Sequence, residues 1–179
     1  RRRDAERPGS ERVDDHAQVG EFGAEGVVAE ALREREGTGI VVRANGLILT
    51  IGYLIVEAED VTVIDSKGRT LAAQVVGYDH ATGFGLLRTL APLDVKPVIL
   101  GDSTRLSERD PVMIATTGDD SINFAFVVSK RPFSGSWEYA LDQAIFTSPP
   151  TANWSGAALL DRDGKLLGIG SLIVRDATL

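Results

Sequence analysis

A chain of 179 residues, 43% hydrophobic, 25% charged and 6% aromatic, has the make-up of one globular domain or two small ones, and no apolar run in it is long enough for a membrane helix. With 19 Lys+Arg against 26 Asp+Glu the formal charge is −7, so no chain-wide field favours nucleic acid or anionic lipid. Cysteine is absent, which excludes disulfides, thiol nucleophiles and thiolate metal sites, and His16 and His80 are the entire imidazole supply for general-base or metal chemistry.

Arg1–Asp15 holds five arginines and five acids with little apolar surface to offset ordering entropy, and residues 1–20 read as a charged, flexible arm. Arg1 is followed by no signal-peptide pattern and reads as a processed or trimmed start. From residue 21 to 179 the texture is that of one β-rich domain. Val27–Glu36 has good helix formers but also fits a strand leading into a charged loop, and the pattern leaves both open. Beyond it, short apolar runs predict strands at Gly39–Arg43, Leu47–Ile55, Val61–Asp65, Thr70–Tyr78, Phe84–Leu90 and Val98–Leu100. Further strands are predicted at Val112–Thr116, Asn123–Ser129, Ser136–Ala140, Ala144–Thr147, Gly156–Leu160 and Leu166–Val174. Ala44-Asn45-Gly46, Ser66-Lys67-Gly68 and Asp161-Arg162-Asp163-Gly164 supply hairpin turn chemistry. So many short strands favour closed barrels or a sandwich pair, where closure removes aggregation-prone edges.

Several of these segments, in order, carry a resemblance. Gly37-Thr38-Gly39 with its apolar run, then Gly46-Leu47-Ile48-Leu49-Thr50-Ile51-Gly52-Tyr53, is similar to a G-S-G strand followed by G-x-I-L-T-x-x-H. Val75-Val76-Gly77-Tyr78-Asp79-His80-Ala81-Thr82-Gly83-Phe84 is similar to V-V-G-x-D-x-x-T-D-L, and Pro97-Val98-Ile99-Leu100-Gly101-Asp102-Ser103 to P-L-G-D-S. Asp110-Pro111-Val112-Met113-Ile114-Ala115 matches a G-D-x-V-x-A strand, and Asn153-Trp154-Ser155-Gly156-Ala157-Ala158-Leu159 resembles G-N-S-G-G-P-L. Together, over Gly37 to Val174, they resemble the trypsin-like serine proteases in their HtrA/Deg-like bacterial branch. The resemblance implies an all-β fold of two antiparallel six-stranded β-barrels. Barrel one would span about 27–90 and barrel two about 97–174, with the C-terminal strand and helix lacking.

The resemblance places Ser155 at the nucleophile position, Tyr53 where the catalytic histidine belongs and Gly83 where the aspartate belongs. A serine hydroxyl needs an imidazole to take its proton, and the imidazole needs a buried carboxylate. A phenol, with an ordinary pKa of about 10, is protonated at neutral pH and donates a hydrogen bond rather than accepting a proton. Losing both partners is coherent, since an aspartate without its histidine would be a buried unpaired charge. The backbone N–H groups of Asn153 and Ser155 would form the oxyanion hole, with Pro149-Pro150 stiffening the approach and Trp154 beside the serine as a cap on the cleft. Gly168, Ile169, Gly170 and Ser171 would be the wall on which a peptide adds as a β-strand; read from the residues alone, they are equally a plain buried strand. His80 is a substitute base or a solvated loop residue, His16 lies in the arm, and Lys165 is a dyad partner or a turn lysine facing water. Phe133, Trp137 and Tyr139 read as core or edge packing.

Two readings follow. One is a catalytically impaired protease homologue that binds peptides or proteins or regulates them; the other is a serine endopeptidase in which Ser155 uses a non-standard or partner-supplied base. A β-rich structural domain without cleft function is a third. No metal constellation, phosphate loop or dinucleotide fingerprint is present, so neither metal nor cofactor is implied. The expected partner is a peptide or protein in the inter-barrel cleft, not nucleic acid, and a sheet edge left by a lacking strand would favour homo-oligomers. The branch implies a bacterial cell envelope or periplasm.

Overall fold

The three hairpin turns form around glycines in the left-handed region: φ is 76° at Gly46, 70° at Gly68 and 76° at Gly164. A computed structural model of the chain describes residues 16–21, 27–32, 35–117, 121–135 and 140–174. The residues Trp137 and Tyr139, and with them most of the strand expected at Ser136–Ala140, lie outside the described residues.

In the first half the strands are β1 (His16–Glu21), β2 (Val27–Leu32), β3 (Arg35–Arg43), β4 (Leu47–Ile51), β5 (Asp60–Ile64), β6 (Thr70–Tyr78) and β7 (Phe84–Thr89). They close into one barrel in the order β1-β2-β3-β4-β7-β6-β5, the seam being a short parallel pairing of β1 with β5. In the second half β8 (Pro111–Ala115), β9 (Ile122–Ser134), β10 (Ala140–Ser148), β11 (Ala158–Leu160) and β12 (Leu166–Ile169) form a five-stranded antiparallel sheet ordered β10-β9-β8-β11-β12.

The all-β double-barrel architecture is as expected, but the strand count is seven and five among the described residues, not six and six. The seventh strand of the first barrel is β1, which begins at His16, inside the segment read as an arm. Its Ala17 and Val19 alternate with polar neighbours, a signal of two residues too short to register in the sequence. The described residues of Val27–Glu36 are strand: β2 pairs along its length with β3, so tertiary pairing overrides the helix propensity of its alanines and glutamates. Val98–Leu100 is not a strand of its own. It contributes one parallel bridge, Leu100 to Leu166, and a Val98 N–H···O bond to Val41 that ties the inter-barrel connection to β3.

Side-chain alternation distributes consecutive residues between cores. On β3, Val41 enters the first barrel's interior with Ile48, Leu54, Val63 and Leu87, while Ile40 faces the second sheet. On β8, Ala115 and Met113 join Ile40, Ala158 and Leu160 in the layer between the two halves, and Val112 and Ile114 turn to the other face with Val127 and Leu159. The strands β3, β8 and β11 are therefore sandwiched, which fixes how the two halves meet. Asp65, with its side chain only 2% exposed, organises the β5–β6 turn: it accepts from the N–H groups of Lys67 and Arg69 at 3.0 and 2.9 Å and pairs with the Arg69 guanidinium. Burial pushes the Asp65 carboxyl up, but the bonds from the Arg69 N–H, the Arg69 side chain and the Lys67 N–H together outweigh it and hold it below the usual 3.8. Among the described residues no helix is long and apolar enough to cross a membrane.

Candidate functional site

Ser155 sits on a turn held from both halves of the molecule. Its carbonyl accepts from the Thr38 N–H of β3 at 2.8 Å, the Gly156 N–H donates to the Gly170 carbonyl at 2.9 Å, and the Gly170 N–H donates to Ala157 at 2.7 Å. Thr50, buried on β4, donates its hydroxyl to the Thr38 carbonyl at 2.8 Å. The approach is close enough to require glycine: a Cβ on Gly156, whose φ is 74°, would lie 2.0 Å from the Thr38 oxygen, and one on Gly170 would lie 2.2 Å from the Trp154 oxygen. Gly37 is similarly confined, since its Cβ would meet Leu54 at 2.3 Å and the Ser155 oxygen at 3.0 Å.

Tyr53 is carried by a 3₁₀ turn, Gly52–Leu54, that directly follows β4. Its hydroxyl oxygen lies 2.9 Å from Ser155 Oγ and 2.9 Å from the Ser171 carbonyl oxygen. A phenol has one hydrogen and a carbonyl has none, so Tyr53 O–H donates to Ser171 and the Ser155 hydroxyl must donate to Tyr53. The proton order is thus Ser155 Oγ–H to Tyr53 Oη–H to Ser171 C=O. This arrangement holds the serine proton in place instead of removing it. The Trp154 ring lies at a tilt over Tyr53, with centroids 6.5 Å apart, and the Arg35 guanidinium donates to the Tyr53 carbonyl at 2.6 Å, which fixes the turn from outside.

At the position of the expected carboxylate, Gly83 is buried with φ 76°. Its contribution is made through the backbone: the Gly83 carbonyl accepts from Gly52 at 2.7 Å and so braces the start of the Tyr53 turn. The Tyr78 ring fills the space beside it, close enough that a Cβ on Gly52 would lie 1.9 Å from the ring edge. The preceding loop is shaped by Asp79, which accepts from the Thr82 hydroxyl at 2.6 Å and the Ala81 N–H at 3.1 Å, and the Thr82 hydroxyl bond is the main cause of its lowered pKa.

Neither substitute base reaches the serine. His80 is exposed and packs edge-on against Tyr78 at 4.4 Å, and Lys165 Nζ pairs with Asp163 at 3.4 Å within its own hairpin turn. The Asn153 side chain donates to the Thr117 carbonyl at 3.0 Å, and within the described residues neither the Asn153 nor the Ser155 backbone N–H is used in a hydrogen bond. Gly168 and Ile169 lie on β12, paired with Leu159 and Ala158, while Gly170 and Ser171 continue past its end. These four residues border a cavity of about 360 Å³ whose other walls include Leu141, Ile145, Phe146, Trp154 and Leu167. Phe133 is partly buried, stacks edge-on with Phe146 at 6.3 Å and lines this cavity. Among the described residues no group of three or more His, Asp or Glu is placed to hold a metal ion.

The sequence is matched over residues 37–169 by the model of the trypsin-like peptidase domain. The chain belongs to the trypsin-like peptidase family. Its relatives include the probable periplasmic serine protease do/HhoA-like of Haemophilus influenzae, 28% identical over 148 residues, covering 77% of this chain and 31% of the relative. Serine protease PepD of Mycobacterium tuberculosis is 30% identical over 159 residues, covering 79% of this chain and 34% of the relative. The periplasmic pH-dependent serine endoprotease DegQ of Escherichia coli is 27% identical over 147 residues. The chain thus spans about a third of the length of the curated relatives it matches. The same fold is seen in the HtrA-type protease AlgW solved with a decapeptide (TM-score 0.69, 21% identity, covering 84% of this chain and 46% of that one). It is also seen in the MamO protease domain of Magnetospirillum magneticum, with TM-score 0.63, 17% identity and coverage of 86% and 81%.

Proposed function

We propose that this domain is a catalytically impaired trypsin-like peptidase homologue that binds extended peptide or protein segments in the cleft beside Ser155. The observation that carries the reading is the direction of the Ser155–Tyr53–Ser171 hydrogen-bond chain. A nucleophilic serine must lose its proton to a base as it attacks. Here the group at the base position already donates its only hydrogen to a carbonyl, and the expected carboxylate position holds Gly83, which has no side chain to stabilise a positive charge. Removing members of such a triad costs orders of magnitude in rate, leaving only what binding and backbone donors supply.

Binding does not need the triad. The wall from Gly168 to Ser171 lies at the edge of the second sheet and borders an apolar cavity, the combination by which strand addition takes affinity from the main chain and selectivity from pockets. An HtrA-type protease of the same fold has been solved with a decapeptide. With relatives named as periplasmic proteases, the reading places the domain in a bacterial cell envelope.

A fluorophosphonate probe tests the impairment at neutral pH. No labelling of the protein above that of Ser155→Ala is expected. Robust labelling that Ser155→Ala abolishes would overturn the reading in favour of an endopeptidase with a partner-supplied or non-standard base.

A further inference from the structure

A ligand bound along residues 168–171, the reading on which this inference rests, meets a second strand edge beyond Ser155. The nucleophile turn is bonded to Gly170 on one side and to Thr38 of β3 on the other, so it lies between the two. Thr38 turns its main chain away from β2, giving its N–H to Ser155 and taking the Thr50 hydroxyl on its carbonyl. Extended backbone repeats every two residues, so Glu36 presents its N–H and C=O to the same side. The strand β4 does not cover that stretch, because its pairing with β3 begins at Ile40. Among the described residues neither Glu36 group has a hydrogen-bond partner.

Arg35 stands beside this open pair. Its exposed guanidinium donates through Nη1 to the Tyr53 carbonyl at 2.6 Å, and among the described residues that is its only hydrogen bond and no carboxylate pairs with it. One of its five N–H donors is spent on an anchor, and the others remain for a ligand. A guanidinium held this way presents a planar fork that matches a carboxylate. In a chain with 26 acids and 19 bases, this cation is left without an acid partner at the rim of the site. Side chains alternate along β3, so the neighbouring Glu36 carboxylate stands on the opposite face and does not fill the place.

A strand added antiparallel to this edge pairs one residue with the Glu36 main chain and sets the next opposite Arg35, on the same face and with Cβ atoms about 5 Å apart. Opposite charges at such a pair attract, and like charges repel. Arg35 lies three residues along β3 from Thr38, about 10 Å of strand, so the ligand position it faces is about three residues beyond the one at Ser155. We propose that Arg35 makes the β3 side of the cleft selective for peptides carrying a carboxylate at that position, supplied by an acidic side chain or by the peptide's own C-terminus. The selecting group is a cation anchored on the backbone of Tyr53, so the preference needs neither the serine nor its proton.

The experiment is a selection of phage-displayed random dodecapeptides on the wild-type protein, Arg35→Gln and Arg35→Glu, followed by fluorescence anisotropy with synthetic peptides from the wild-type pool. These carry glutamate or glutamine at the selected position, or end there as the free acid or the amide. Wild-type protein is expected to enrich aspartate and glutamate at one position. It is expected to bind the carboxylate member of a pair about threefold to fivefold more tightly at low salt, the size of one exposed ion pair, with an advantage that shrinks as salt is raised. A glutamate preference assigns the side chain as source, and a free-acid preference assigns the C-terminus. Arg35→Gln, which keeps a donor for the Tyr53 carbonyl but no charge, is expected to bind both members equally, and Arg35→Glu to enrich lysine and arginine instead. The neutral variant decides the matter alone if the charge reversal folds poorly. Peptide binding with no carboxylate preference on the wild-type protein, or with the same preference on Arg35→Gln, overturns the selectivity and leaves the peptide-binding reading standing. Binding of no peptide by any of the three proteins overturns both.

Discussion

The two sides of the site are built by different means. The nucleophile turn is held by main-chain bonds to Thr38 and Gly170 and by glycines at which no Cβ fits. The base side has the same backbone frame, with Gly52 bound to Gly83, but its functional groups are a phenol and a hydrogen atom. The contrast shows that in this fold the geometry around the serine does not depend on the side chains that would activate it. Backbone bonds and close glycine contacts hold the turn without help from the side chains at positions 53 and 83, so the shape of a site and its reaction are separable properties.

Damaging the nucleophile turn should have the largest effect. Gly156→Ala puts a methyl 2.0 Å from the Thr38 oxygen on a residue with φ 74°, and is expected to cost about 3 kcal/mol or more in urea unfolding. Gly164→Ala, at φ 76° with nothing within 4 Å, isolates the backbone part of that penalty at about 1–2 kcal/mol. A cost at Gly156 no greater than at Gly164 would mean the turn is not tightly held.

Away from the site, Asp65→Asn removes the charge that receives the Arg69 and Lys67 bonds, and about 1–2 kcal/mol of stability at neutral pH is expected to go with it. Because the folded-state pKa of Asp65 is depressed, its contribution is present above the usual 3.8 and is lost as pH falls through the lower, folded-state value. The gap between wild type and Asp65→Asn should therefore hold from neutral pH down to about pH 4 and close below it; a gap that persists in acid would contradict the assignment. On the base side, Gly83→Ala is expected to cost about 1–2 kcal/mol, the backbone penalty of adding a Cβ at φ 76°. The smallest effect belongs to Tyr53→Phe: less than about 1.5 kcal/mol, with no gain of fluorophosphonate labelling, because freeing the serine supplies no base. Labelling of Tyr53→Phe would show that the phenol alone restrains Ser155.

Much of this was legible in the residues. Asn45-Gly46, Lys67-Gly68 and Asp163-Gly164 mark their turns because only residues tolerant of positive φ fit there, and the displaced positions of Tyr53 and Gly83 follow from the order of motifs around them. What was hidden depends on pairing across the chain. The strand β1 is stabilised by neighbours rather than by its own pattern, and Val98–Leu100 has strand composition but is spent bridging Val41 and Leu166. The Tyr53 contact with Ser171 joins residues 118 apart, and nothing local to either announces it. His80, in the loop before Gly83, reads from the sequence as a substitute base or a solvated loop residue, and it is exposed, edge-on to the Tyr78 ring.

The bridge from Thr38 to the Ser155 carbonyl has a kinetic consequence. It and the Tyr53–Ser155 contact, 102 residues apart, can close only when both halves have formed and met. Contacts of such long sequence separation are made late, after most loop-closure entropy has been lost. Substitutions at Gly156 or Gly170 should therefore accelerate unfolding in proportion to the stability they remove while leaving the refolding rate nearly unchanged. The cleft becomes the last part of the molecule to assemble and the first to come apart.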